Sequence, residues 1–300
     1  MNKSKLIRGG ISALSLVALS ASFAFADEAS TSTQNVNAVQ PSIVDKFTST
    51  YVNVFDGPAI TSLGSPYQSS NLDGTIDTTS PVMFKNTISL GYKVSKLITI
   101  APTFYWQYLI GGNDSVKMGG DSYLKISDSN IYTSGNYKAS GFLSLYAPVT
   151  EESRNKRSVG GARLFVNQNY DIPNSKWSLS LWSFAQKYFY NQYEAGIGYK
   201  GKAPWSLRVY LGPNANYAVT DTVTLGVLYE ASSRLRFGKS VFSGWENPNP
   251  DGSPSTDIEP NVNWDITKKI SFNPYLNIPV SGRVALDTTT IGSYLVWKLL

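Results

Sequence analysis

The 300-residue chain carries 26 Lys and Arg against 21 Asp and Glu, a formal charge of +5, with no cysteine and no histidine. Without thiols there is no disulfide scaffold, thiolate nucleophile or thiolate metal site; without imidazole there is no Ser-His catalysis, histidine acid/base chemistry or usual imidazole metal ligand. The expectation is a chain that is not an enzyme and that holds no cofactor and no metal.

The chain opens with Lys3, Lys5 and Arg8, runs through the apolar ISALSLVALSASF and reaches a small-x-small site at Ala24, Phe25 and Ala26. That order is expected of a secretory signal peptide, residues 1–26, cleaved after Ala26. The apolar run is shorter than the roughly 20 residues of a spanning helix and is followed by polar DEASTSTQNVNAVQ, so an uncleaved anchor is the lesser reading. Losing the leader lowers the charge from +5 to +2, too little for a concentrated basic face, so no nucleic-acid partner is expected. Residues 27–45, rich in Ser, Thr, Asn, Gln and Ala, read as a flexible periplasmic lead-in.

From residue 46 the chain alternates strand patterns and turn residues to its end, with no capped helical periodicity. Strands are expected near 46–56, 81–95, 97–110, 122–133, 137–148, 159–171, 176–190, 204–218, 222–236, 257–266, 269–279 and 287–300. The hairpin ISLGYKVSKLITIAPTFYW displays the pattern. Ile88, Leu90, Tyr92 and Val94, then Ile98, Ile100, Phe104 and Trp106 form one apolar face, while Lys85, Thr87, Ser89, Lys93, Thr99, Thr103 and Gln107 form the other. The connections after even-numbered strands are brief, around Ser95-Lys96, Ser134-Gly135-Asn136, Ile172-Pro173-Asn174, Thr220-Asp221 and Thr267-Lys268. Those after odd-numbered strands are mostly longer and rich in Gly, Pro and charge, as in FSGWENPNPDGSPST.

Two all-β plans share such alternation. A secreted β-sandwich would turn the apolar face onto a core, whereas a transmembrane antiparallel up-and-down β-barrel of about twelve strands would turn it onto lipid. Several observations favour the barrel over 46–300. The strands accommodate the roughly 9 to 11 tilted residues that cross a bilayer. The short and long connections sort onto opposite ends, and an even count lets the last strand close on the first, leaving no edge. Candidate lipid-side residues include Val82, Phe84, Leu207, Val209, Leu211, Val223, Leu225, Val227, Ile270, Phe272, Leu276 and Ile278. Aromatics gather near strand ends, as interfacial girdles would. Tyr92, Tyr132, Tyr137, Tyr170, Trp177, Tyr217, Trp264 and Trp297 fall near the short turns or C-terminus; Trp106, Tyr108, Tyr188, Phe189, Tyr190, Trp205 and Tyr229 fall toward the long loops.

The chain ends inside a strand, TTTIGSYLVWKLL, with Ile291, Leu295, Trp297 and Leu299 alternating. This resembles the C-terminal strand of Gram-negative outer-membrane proteins that the barrel-assembly machinery recognises, departing from it in ending on Leu300 and carrying Lys298. Over 46–300 the pattern as a whole resembles a monomeric, porin-like outer-membrane barrel. That resemblance implies a channel for passive diffusion of small polar solutes, in contact with outer-membrane lipid and lipopolysaccharide.

If the apolar set faces lipid, the opposite set lines the interior: Lys85, Lys93, Lys125, Lys138, Arg163 with Asn167 and Asn169, Arg208 with Asn214 and Asn216, Glu230, Asp257, Glu259, Asn261, Asn263 and Asp265. Cations dominate strands 2 to 8 and anions strands 9 and 10, a division expected to set a transverse field. Arg163 and Arg208 are the candidates for an anion-favouring constriction, because a guanidinium is always charged and offers a planar fork of donors. The alternative is a plugged structural or surface-binding barrel in which these groups pair with Glu230 or Glu259. GIGYKGK, though a literal G-x-G-x-x-G, has no following helix and is not read as nucleotide-binding. NPNPDGSPSTDIE is a Pro/Gly turn in preference to a calcium loop, since Glu259 falls one place beyond the required position. EESRNKR, Glu151 to Arg157, reads as a solvated loop whose cations could meet lipopolysaccharide phosphates.

Overall fold

A computed structural model describes residues 43–60, 69–70, 76–77, 82–110, 116–117, 120–155, 157–191, 205–236, 245–246, 255–280, 286 and 288–300. The signal-peptide assignment, most of the 27–45 lead-in, GIGYKGK and the start of the Pro-rich external loop lie outside them.

Twelve long strands follow in order: β1 Phe47–Ala59, β2 Val82–Lys93, β3 Ile98–Ile110, β4 Tyr123–Ser134, β5 Tyr137–Tyr146, β6 Ser158–Asp171, β7 Trp177–Tyr190, β8 Trp205–Ala218, β9 Val223–Arg236, β10 Ser255–Asp265, β11 Ile270–Pro279 and β12 Thr290–Lys298. Each pairs antiparallel with its sequence neighbour, and β12 pairs with β1 from Thr50↔Lys298 to Asp56↔Gly292, so the sheet closes on itself. The protein is a twelve-stranded antiparallel β-barrel.

The short turns share a local device. Ser95 Oγ accepts from the backbone N–H groups of Leu97 and Ile98, Thr220 Oγ1 from those of Thr222 and Val223, and Thr267 Oγ1 from those of Lys269 and Ile270. A hydroxyl thereby replaces the ladder partners that the backbone loses where it reverses. In the β4–β5 turn Gly135 takes φ +54°, a conformation that costs glycine little.

At the other end two long connections fold back on the barrel, Val116–Lys117 pairing with β3 and Trp245–Glu246 with β9, while in a third Ser69–Ser70 pairs with Ile76–Asp77 in a separate two-stranded sheet. The segment read as a solvated loop contains a short helix, α1, Glu151–Asn155. Thr150 caps it by accepting the Ser153 N–H at 3.2 Å, while Asp121 accepts from the Thr150 N–H, the Thr150 hydroxyl and the Ser153 hydroxyl. Five residues are too few for hydrophobic periodicity, and this long-range clamp supplies what local sequence could not. A further turn of 3-10 helix, Ile43–Lys46, occupies the end of the lead-in.

The two faces of the pleat have opposite character. Leu90, Phe104, Leu211 and Val227 are 49, 50, 54 and 50 % exposed, whereas Thr103, Ser144 and Gln186 on the other face are 2, 0 and 2 % exposed. A soluble protein hides the first set and wets the second; the inversion is that of a barrel whose outer surface meets lipid. Around the short-turn end Tyr92, Tyr132, Tyr170, Trp177, Trp264 and Trp297 all stand exposed on the outer face, joined by contacts such as Trp177 to Tyr217, with ring centroids 5.1 Å apart. The long-loop girdle divides. Trp106, Tyr108, Phe189 and Tyr229 lie on the outer parity, but Tyr188 and Tyr190 are in register with the interior set, and Trp205 sits at an irregular rim 3.8 Å from the Arg236 guanidinium. Two adjacent ring residues on one strand necessarily face opposite ways.

Candidate functional site

The interior face is organised in rows, because hydrogen-bonded partners on successive strands face the same way. One row runs Lys125↔Ser144↔Arg163↔Gln186↔Arg208↔Arg234 across β4 to β9. It places four cations in one register on the long-loop half of the barrel. Two residues nearer the short turns, about 7 Å along each strand, the next row runs Phe142↔Phe165↔Phe184↔Tyr210. Phe142 stacks on Phe165 at 4.8 Å and 13°, and Phe184 on Tyr210 at 4.9 Å and 7°.

The two rows are tied together. The Arg163 guanidinium lies 4.9 Å from the Phe184 ring centroid and 5.5 Å from that of Tyr146; Arg208 lies 5.3 Å from Phe184, and the Lys125 ammonium 5.4 Å from Phe142. Such cation–π contacts contribute roughly 0.5 to 2 kcal/mol each and hold the cations against the wall. Arg163 also donates from Nε and Nη2 to Gln186 Oε1 at 3.0 and 2.6 Å, while Gln186 donates to the Tyr188 hydroxyl at 2.7 Å. Arg208 Nε, Ser144 Oγ, Asn167 Oδ1 and Asn214 Oδ1 are buried atoms without a hydrogen-bond partner.

Beside this wall stand the acids. Glu230 pairs in register with Asp257 across β9 and β10, and Asp257 and Glu259 are 3 and 5 % exposed. Glu230 accepts the Tyr210 hydroxyl at 2.5 Å, and neither Arg163 nor Arg208 forms an ion pair with it or with Glu259 among the described residues. Lys85 is salt-bridged to Asp56.

Lys93 and Asp265 share the inward parity but lie at the short-turn mouth: Lys93 Nζ donates to the Asp45 carbonyl at 3.0 Å and Asp265 accepts the Ser271 hydroxyl at 2.7 Å. Of the eight residues proposed from sequence, the structure brings Lys125, Arg163 and Arg208 into one register row and places Glu230 and Glu259 next to one another's strands. Lys85, Lys93 and Asp265 stand apart from both groups. A cavity of about 430 Å³ opens beside Lys93 and Lys96 at the short-turn end and reaches Phe142, Phe165 and Asn167.

The four-ring row, Ser144, Gln186 and Arg234 escaped the reading of the sequence. Phe142, Ser144, Phe165, Tyr210 and Arg234 each lie an even number of residues from an interior position already named on their own strand, and that spacing was the signal; Phe184 and Gln186 stand on β7, where no interior position had been named.

No protein-family model and no curated protein sequence matches the chain. Among solved structures it is similar to an outer membrane channel from Pseudomonas putida F1, with TM-score 0.47 and 14% identity over 84% of this chain and 95% of that one. It is also similar to NanC porin, at 0.46 and 6% over 84% and 100%, and to KdgM porin, at 0.40 and 10% over 84% and 98%. At such values a shared function does not follow from the likeness, and the functional reading rests on the barrel's own residues.

Proposed function

We propose that the protein is an outer-membrane channel for passive diffusion of small hydrophilic solutes through a narrow, charged lumen, with Arg163 and Arg208 favouring anions. The observation that carries this reading is that Lys125, Arg163 and Arg208, level with one another on the interior wall, form no ion pair with an acid among the described residues. A plugged barrel neutralises its buried charges by pairing them, because an uncompensated buried ion is costly. Here Arg163 gives two donors to a neutral glutamine and Arg208 forms no ion pair with an acid among the described residues, an arrangement that suits guanidinium groups whose remaining donors face water. Twelve strands also enclose more than the side-chain-filled interior of an eight-stranded barrel.

On this reading Lys85, Lys93, Lys125, Glu230, Glu259 and Asp265 line the path with the two arginines. The outer belt sits in outer-membrane lipid and lipopolysaccharide, the C-terminal strand is the segment taken up by the barrel-assembly machinery, and the signal peptide directs export. N-terminal sequencing of the membrane-inserted protein checks the last point, with Asp27 as the expected first residue. Reversal potential under a salt gradient tests the arginines: Arg163→Gln with Arg208→Gln should shift it toward cations, and an unchanged potential rejects their role.

A further inference from the structure

Resting on the reading of the barrel as a channel, we infer that the wall of β5 to β8 is a binding site for an aromatic monocarboxylate, its carboxylate on Arg163 and Arg208 and its ring on the row Phe142, Phe165, Phe184 and Tyr210. Three features fix that chemistry. The first is the donor set: Arg208 makes no hydrogen bond or ion pair among the described residues and its Nε is buried without a partner, as is Ser144 Oγ in the same register row. The Gln186 bridge holds the neighbouring Arg163 in place and leaves its Nη1 donors for a second acceptor. A carboxylate suits a planar guanidinium fork.

The second is what lies about 7 Å away along the strands. Directly next to the cations the wall is a four-strand aromatic row, not a run of amides; Asn167 and Asn169 come only one and two rows further toward the short turns. A carboxylate attached to a ring spans cation row and aromatic row together, whereas the hydroxyls of an acyclic hydroxy acid would lie against the phenyl groups. Because the wall rings stack in pairs on each other, they offer edges to an incoming ring, and edge-to-face contact is a favoured aromatic geometry. Third, the cavity that opens at the short-turn end reaches Phe142 and Phe165, so the β5–β6 end of the row is accessible, while Tyr210 closes the other end as a buried ring. Glu230 and Asp257 on the adjoining wall repel a carboxylate and confine it to β5–β8.

Benzoate added to the protein in a planar bilayer should reduce chloride current saturably, whereas acetate and gluconate at the same concentration should not. Arg208→Gln and Phe184→Leu should each raise the half-blocking benzoate concentration about tenfold, with heat-modifiable gel mobility confirming that both variants are folded. Equal block by all three anions, or benzoate block unaltered in both variants, overturns the site. If chloride carries no current, the channel reading fails separately, and calorimetric titration of benzoate into the detergent-solubilised protein decides the site: binding weakened in both variants supports it, and binding that is absent or indifferent to them overturns it.

Discussion

Single residues are under two kinds of constraint, one set by which way they face and one by what crosses above them. Gly292 on β12 faces inward, and a Cβ there would run into the Tyr275 ring, which lies over it from β11 with its own neighbour Tyr294 at 5.2 Å. Gly292→Val should therefore displace Tyr275 and lower stability by about 1 to 3 kcal/mol, read as a lower urea midpoint in detergent micelles. An unchanged midpoint would show that the ring moves freely. The facing of individual residues was legible in the sequence: alternation placed Lys125, Arg163, Arg208, Glu230 and Glu259 on the inner side, because a pleat leaves no third direction. What alternation could not supply was register. That Arg163 stands level with Gln186 and Arg208, or that Phe165 falls between Phe142 and Phe184, depends on how strands slide past one another, and turn lengths fix that only to within a residue or two.

Elements are specified more fully than residues. The sequence patterns VSKLI, VTDTV and ITKKI each put Ser95, Thr220 or Thr267 between apolar residues, and in each the hydroxyl takes two backbone N–H groups. Replacing Thr220 and Thr267 by Val should cost about 1 kcal/mol per lost hydrogen bond, measured as the shift in unfolding midpoint; no shift would mean that water substitutes fully. The outer ladder makes a stronger demand. Leu211, at the middle of β8 and 54 % exposed, should tolerate lysine poorly, at about 2 to 4 kcal/mol, while Asn214→Lys on the inner face should cost much less. Equal costs would mean that the exposed face is not in lipid. All twelve strands were legible within a few residues because length, alternation and turn chemistry agreed; α1 was not, since it is held by the distant Asp121, and the two-residue strands of the long connections were not, since two residues show no alternation.

At the scale of the whole molecule, closure is what joins fold to function. The β12–β1 ladder removes the last sheet edge, so every strand has two neighbours and irregular backbone is confined to the ends. Deleting 290–300 should abolish the heat-modifiable folded form, because both β1 and β11 would lose a full ladder; retention of that form would mean the barrel closes without β12. Closure also creates the interior in which a cationic and aromatic wall stands beside an acidic one. The most direct test of the central claim is planar-bilayer recording of the purified, folded protein. Stepwise current with a reversal potential favouring anions is the predicted result, and a stably inserted barrel that passes no current would contradict it.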